Sequence, residues 1–303
     1  MDIIAVGSVA FDSVETPFGK ANEVLGGSVT YFSASASYFA KVGVVAVVGD
    51  DFKPEHEKVF KDRGVDTRGI RKVAGGKTFR WKGKYEYDLN VAHTLDTQLN
   101  VFSSFKPEIP KEYGDAEFLF LGNIDPVIQE EVLSKVKKPR LIACDTMNFW
   151  IEGKPHELRR LLSKVEMLVI NEAEARELAK TPNLVKAAKA ILALGPKTLI
   201  VKRGEYGALM FSSNGIFSAP AYPLEDIFDP TGAGDSFAGG LVGYLAKSKD
   251  LSEKGLRRAI VFGSAMASFN VEAFSLKRLA SLTEDEINKR YGAFKALTHF
   301  EEL

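Results

Sequence analysis

The chain has 303 residues, 45% of them hydrophobic, and its 40 Lys and Arg balance 40 Asp and Glu. That composition supplies a sizeable core for one large α/β domain and excludes general disorder. A formal charge of zero excludes broad electrostatic binding to nucleic acid or to an anionic membrane, while leaving room for a local phosphate pocket.

In chain order, the N-terminus Met1-Asp-Ile-Ile-Ala-Val-Gly7 has neither the basic region nor the long apolar stretch of a signal peptide. Its Ile3–Val6 run is the first of several short apolar, β-branched segments. The others are 44–48, Phe118–Leu121, Leu141–Cys144, 167–170 and 198–201. Apolar on both faces, they read as strands of a buried parallel sheet. Helical spacing over 29–40, 126–136 and Glu172–Ala179 alternates with them, the last with acids in its first turn. Strand alternating with helix predicts right-handed crossovers and a doubly wound, mostly parallel sheet with helices on both faces.

Two stretches break the rhythm. Residues 12–25 are short, polar and turn-rich, and 71–99 read as alternating strands that turn near Gly83. Together they predict a small discontinuous β-lid on a single domain spanning 1–303. From Leu251 onward the pattern is mostly helical, with Ser281-Leu-Thr-Glu-Asp-Glu286 as a helix start. The lone cysteine, Cys144, sits among apolar neighbours and reads as a small core residue. It excludes an internal disulfide framework and fits a reducing compartment. No apolar run reaches about 18 residues. The expectation is a cytoplasmic enzyme with no membrane and no nucleic-acid partner.

The segment Asp229-Pro-Thr-Gly-Ala-Gly-Asp-Ser-Phe-Ala-Gly-Gly240 places glycines just before an apolar stretch. The spacing of Phe237, Leu241, Tyr244 and Leu245 predicts a helix beginning near Gly234. The first amides of a helix lack internal partners, and its dipole makes that end partly positive. Gly232, Ala233 and Gly234 add little bulk, so an anion can approach the backbone; this is a cradle for a transferring phosphoryl group. Asp235 inside the cradle reads equally as a general base toward a substrate hydroxyl and as a helix cap. Gly75-Gly-Lys-Thr78 superficially resembles the end of a Walker P-loop, but Arg71 stands where its first glycine belongs. A dinucleotide fingerprint fails too, since Gly7 is followed by Ser8 and Val9.

The segment 229–240 closely resembles the C-terminal signature of the ribokinase-like, or PfkB, carbohydrate kinase family. The resemblance extends over nearly the whole chain. Asp12, after the first strand, is similar to the family's substrate-binding acid, and Gly26-Gly27 to its diglycine hinge. Asn171-Glu-Ala-Glu174 resembles its NxxE element, which implies that Asn171 and Glu174 organise Mg²⁺ and phosphates through water. Lys202-Arg-Gly-Glu-Tyr-Gly207 sits where the family has a glycine-containing nucleotide loop, which implies contacts from Lys202, Arg203, Gly204 and Gly207 to ATP. The resemblance assigns Asp235 as catalytic base and the amides of Gly232, Ala233 and Gly234 as anion hole. Asp229 and Thr231 resemble positions near a monovalent-cation (K⁺) site in some relatives, and the family implies a homodimer through the lid.

Bland readings stand beside these roles: Asp12 as a solvated loop acid, Gly26 and Gly27 as an ordinary turn, and Glu174 as a first-turn acid. Lys202 and Arg203 also read as solvated charges. The sequence departs from the family at Tyr31, near the position of an Asn that contacts substrate hydroxyls. With the lid aromatics Phe79, Trp81, Tyr85 and Tyr87, Tyr31 offers a surface for stacking on a ring, against which stands plain lid packing. The leading expectation is therefore an ATP-dependent kinase acting on a hydroxyl of a sugar or sugar-like molecule. A nucleoside kinase of the same fold and a non-catalytic nucleotide-binding sensor are the alternatives.

Overall fold

The computed structural model describes residues 1–299 and 301. The first part of the chain forms β1 (Ile3–Val6), β2 (Ala10–Thr16), β3 (Gly19–Gly26), α1 (Ser28–Ala36), β4 (Val42–Val48), α2 (Pro54–Asp62) and β5 (Asp66–Lys72). Then come β6 (Phe79–Tyr85), β7 (Ala92–Gln98), β8 (Phe118–Leu121), α3 (Pro126–Lys135), β9 (Leu141–Cys144), α4 (Asn148–Gly153) and α5 (Pro155–Leu162). The next elements are β10 (Met167–Asn171), α6 (Glu172–Ala179), α7 (Leu184–Leu192), β11 (Thr198–Lys202), β12 (Ala208–Ser212) and β13 (Gly215–Ala219). Four helices close the chain: α8 (Ala233–Ser248), α9 (Glu253–Asn270), α10 (Lys277–Ser281) and α11 (Glu284–Thr298).

The main sheet has nine strands in the order β13-β12-β11-β10-β9-β8-β1-β4-β5. It is parallel from β11 to β5, and β12 and β13 run antiparallel at one edge. Every residue of β1, β4 and β8 is buried, because helices cover both faces. Strand order reverses between β1 and β8, so a crevice opens at the carboxyl ends of the central strands. Cys144 is fully buried at the end of β9, and burial raises the pKa of its thiol. Helix α11 starts at Thr283, whose hydroxyl and the Glu286 carboxylate cap each other's backbone amides. Among the described residues no helix is long and apolar enough to cross a membrane.

A second sheet, ordered β3-β2-β6-β7, meets the segment before α8 through Tyr85 and the loop after β11 through Asn90. Its boundaries differ from those predicted. Strand β2 already starts at Ala10 and β3 ends at Gly26, while Arg71 and Lys72 pair with Val47 and Val48 in the main sheet. Gly83 is no turn either: it lies inside β6, paired with Thr94, and the chain reverses in the polar stretch 86–91. The glycine is there for space. A Cβ at Gly83 would stand 2.1 Å from the Trp81 ring, so the indole lies flat across the sheet only because residue 83 has no side chain.

Candidate active site

The 229–235 turn is held from three sides. The Thr231 amide donates to the Asp229 carboxylate at 2.9 Å, and the other Asp229 oxygen accepts from the Ser275 amide at 3.2 Å. From α9, the Asn270 amide group donates to the Thr231 carbonyl at 2.8 Å. Gly232 then takes φ +75°, a left-handed conformation that a side chain disfavours, and α8 begins at Ala233. The amides of Gly232, Gly234 and Asp235 have no acceptor among the described residues and form the free donor set. Ala233 departs from expectation here, since its amide donates to the Pro230 carbonyl at 3.1 Å.

Asp235 is half-buried at this helix start. Its carboxyl is pushed up to about 8, by burial first and then by the Asp145 carboxylate, against the pull of Lys202; Asp12 and Glu174 add to the rise. Asp145, which the sequence reading passed over, is buried just after β9. Its Oδ2 lies 3.4 Å from the Lys202 ammonium, and its Oδ1 accepts from the Thr146 amide at 2.8 Å. An acid immediately after a buried parallel strand, at the carboxyl edge of the sheet, was the available signal. Lys202 ends β11 and reaches the cradle itself: its Nζ lies 2.8 Å from where a Cβ on Gly234 would stand. Burial opposes its charge, but Asp145, Glu174 and Asp235 outweigh that and raise its pKa.

Asn171 and Glu174 cap α6 reciprocally, each side chain accepting from the other's backbone amide at 2.8 Å. The bland structural reading of Glu174 therefore holds. Even so, burial, followed by the Asp145 charge, pushes its carboxyl up to about 7 against the pull of Lys202. The Arg203 guanidinium is held by Glu172, its Nε donating to the carboxylate at 2.9 Å. Gly204 and Gly207 both have positive φ. A Cβ at Gly207 would stand 2.1 Å from the Ala219 carbonyl oxygen, and one at Gly204 would stand 1.7 Å from Asn90 Oδ1. Asn90 belongs to the tip of the β6–β7 hairpin and accepts from the Glu205 amide at 3.3 Å, so the small sheet touches the loop after β11.

Asp12 is buried in β2, and the Gly27 amide donates to it at 3.4 Å. Burial pushes its carboxyl up to about 7 despite that amide, and Asp229 adds to the rise. A Cβ at Gly26 would stand 1.9 Å from the Asp12 carboxylate, and Gly27 has φ +91°, so the diglycine makes room for this acid. In the parallel β2–β6 pair Asp12 lies beside Trp81, and alternation puts Trp81, Gly83 and Tyr85 on its face. That face looks onto the cradle: the Thr231 hydroxyl donates to the Tyr85 phenol oxygen at 3.4 Å. Of the other aromatics, Phe79 stacks on Phe102 with ring centroids 5.4 Å apart, and Tyr87 is exposed.

Tyr31 corrects an expectation. Its ring is fully buried against Gly232, which leaves no face for stacking. Its phenol oxygen is buried without a hydrogen-bond partner among the described residues, and Asp12 is the charged group that acts on it most, followed by Asp229. A buried hydroxyl without a partner marks a place where another polar group belongs.

The model of the family described as "pfkB family carbohydrate kinase" matches residues 18–280. The chain is 31% identical over 267 residues to a cytidine kinase of Thermococcus kodakarensis, covering 86% of this chain and 95% of that protein. It is 24% identical over 313 residues to a nucleoside kinase of Methanothermobacter thermautotrophicus, covering 89% of each. The fold is similar to that of a Burkholderia thailandensis nucleoside kinase solved with inosine, with a TM-score of 0.77, 18% identity, and 97% and 99% of the two chains covered. A ribokinase II of E. coli solved with ATP and Mg²⁺ superposes with a TM-score of 0.79 at 18% identity, covering 96% and 99%.

Proposed function

The chain belongs to the pfkB carbohydrate kinase family, and from that premise we propose that it moves the γ-phosphate of ATP to a sugar hydroxyl of a nucleoside. It is a phosphotransferase with an alcohol group as acceptor, which sets aside the sensor alternative. The observation that carries the nucleoside reading is the flat Trp81 indole beside Asp12, on the face of the small sheet that looks onto the cradle. A carboxylate beside a flat aromatic surface suits a molecule that joins a polyol to a planar base, by hydrogen bonds at one end and stacking at the other. The relatives named as cytidine and nucleoside kinases support it.

In this reading Asp12, with the unpartnered Tyr31 phenol nearby, orients the acceptor's hydroxyls. Asp235 accepts the proton of the attacking hydroxyl. The free amides of Gly232, Gly234 and Asp235 stabilise the charge on the transferring group. The small sheet acts as a lid: Tyr85 meets the cradle at Thr231 and Asn90 meets the nucleotide loop at Glu205, which keeps water from the phosphoryl group. Glu174 and Asp145 are hard oxygen donors, but among the described residues no three His, Cys, Asp or Glu side chains are grouped to hold an ion. Glu174 is the residue that would hold Mg²⁺, by way of water, and the ion would supply neutralisation of phosphate charge. K⁺ would sit at Asp229, whose two amide bonds leave lone pairs on a buried carboxylate; exchanging K⁺ for choline tests it by the change in turnover. The exposed outer strand β7 supports pairing with a second copy, which sedimentation tests.

The deciding experiment is a panel of free sugars and nucleosides assayed for ADP release, with the product position read by NMR. Nucleosides are expected to turn over, and Trp81→Ala should raise nucleoside KM about tenfold, in line with the loss of one base stack. Turnover of free sugars alone, unaffected by Trp81→Ala, would overturn the reading.

A further inference from the structure

We propose that Asp145 is a positioning residue for phosphoryl transfer: it holds the Lys202 ammonium against Gly234 and yields it to the transferring phosphoryl group when ATP binds. The inference rests on reading 232–235 as the phosphoryl-transfer site, and it adds a residue and a step to that site.

The geometry carries it in three parts. First, Lys202 reaches the start of α8: its Nζ is 2.8 Å from the Cβ position of residue 234. An ammonium at a helix N-terminus opposes the helix dipole. That placement is unfavourable by itself and becomes useful when an anion lies between the ammonium and the amides. Second, the charge that holds it there comes from two strands away. Asp145 follows β9 and Lys202 ends β11, with β10 between them, so both side chains converge over the carboxyl edge of the sheet. Third, the pair is loose. One Asp145 oxygen is anchored by the Thr146 amide at 2.8 Å, and the other meets Lys202 at 3.4 Å, beyond the roughly 2.7–2.9 Å of a tight charge-assisted bond. A buried pair built for stability alone would close that distance, because burial of both ions is otherwise uncompensated. Here the ammonium can exchange a single carboxylate oxygen for phosphate oxygens while Asp145 stays fixed.

The test compares the wild type with Asp145→Asn, Lys202→Met and the double variant, using whichever acceptor the wild type phosphorylates. Each single change should lower kcat about 100-fold, as losing one preorganised donor does, and leave acceptor KM nearly unchanged. The double variant should be no slower than the worse single one, because both changes remove one shared function. Losses that multiply would overturn the proposal. Asp145→Asn removes the one carboxylate in contact with the buried ammonium and can fail to fold; the double variant removes both charges and keeps the test open. A second readout is independent of the acceptor. Affinity for ADP with tetrafluoroaluminate, a mimic of the transferring phosphoryl group, should fall at least about tenfold in Asp145→Asn, in Lys202→Met and in the double variant, with ADP alone unaffected. Equal loss for both ligands would also overturn it. If the wild type phosphorylates no nucleoside, the acceptor reading fails, while the tetrafluoroaluminate comparison still decides the role of the pair.

Discussion

The ring of Tyr31 lies against Gly232 so closely that a Cβ on residue 232 would stand 2.3 Å from Tyr31 Cγ. A buried side chain of α1 thus shapes the turn that presents the cradle amides. Gly232→Ala adds a left-handed strain of about 1–2 kcal/mol to that clash. It should lower the denaturation midpoint clearly and reduce kcat by more than about 100-fold. Gly153→Ala is the control, because nothing lies within 4 Å of its Cβ position and stability there should hold or rise. Chemical denaturation and steady-state kinetics on both variants check this.

Asp235→Asn should keep ATP binding and lose turnover by about 100- to 10,000-fold, the range of a lost general base. Calorimetry with ATP beside a product assay separates the two effects. Near-normal turnover would remove Asp235 as the base.

The pH dependence follows from the raised carboxyl of Asp235. A base with its pKa at about 8 is protonated and inactive below that pH, so kcat/KM should climb as pH rises through about 8 and then level. Asp12, raised to about 7, should steepen the lower part of the climb. A profile flat from pH 6 to 9 would contradict a buried base.

Stability should move the other way. Asp12 and Asp235 have folded-state pKa values above their ordinary 3.8, so the folded state binds more protons than the unfolded chain. Their contribution to stability therefore falls as pH rises from about 4 toward 8. Asp235→Asn removes that burden and should raise Tm at pH 8.5 more than at pH 4.5. Thermal melts at the two pH values measure the difference. A higher Tm in a protein that has lost turnover is the expected trade between stability and function.

Tyr85→Phe removes the phenol that meets Thr231 while keeping the ring. The expected result is a several-fold rise in acceptor KM with folding stability within about 1 kcal/mol, since one long hydrogen bond is lost. An unchanged KM would mean that this contact plays no part in closing the lid.

Much of the fold was readable because it depends on local pattern. Runs such as Ile3–Val6 and Phe118–Leu121 are apolar on both faces, which only a covered parallel strand tolerates. The cradle was readable for the same reason, since glycines before an apolar helical stretch specify a free helix end. Asp145 was not legible as a partner of Lys202, because a separation of 57 positions carries no periodic signal and only the β9-β10-β11 order joins them. Gly83 was misread as a turn because a glycine required for space under Trp81 looks the same in sequence as one required for a bend.

The sequence by itself determined the class of chemistry: free amides at a helix start with an acid among them made a phosphate cradle, and the resemblance of 229–240 to the kinase signature gave that acid its role. Tertiary structure alone decided how those parts are charged and where they point. Burial pushes the carboxyls of Asp12, Glu174 and Asp235 far above their ordinary range. Tyr31 turned out to pack against Gly232 of the cradle turn, which leaves Trp81, beside Asp12, as the flat surface of the proposed acceptor site. The physical reason is that desolvation and Coulomb interactions depend on distance through space, and chain order sets that distance only within a helix turn or along a strand.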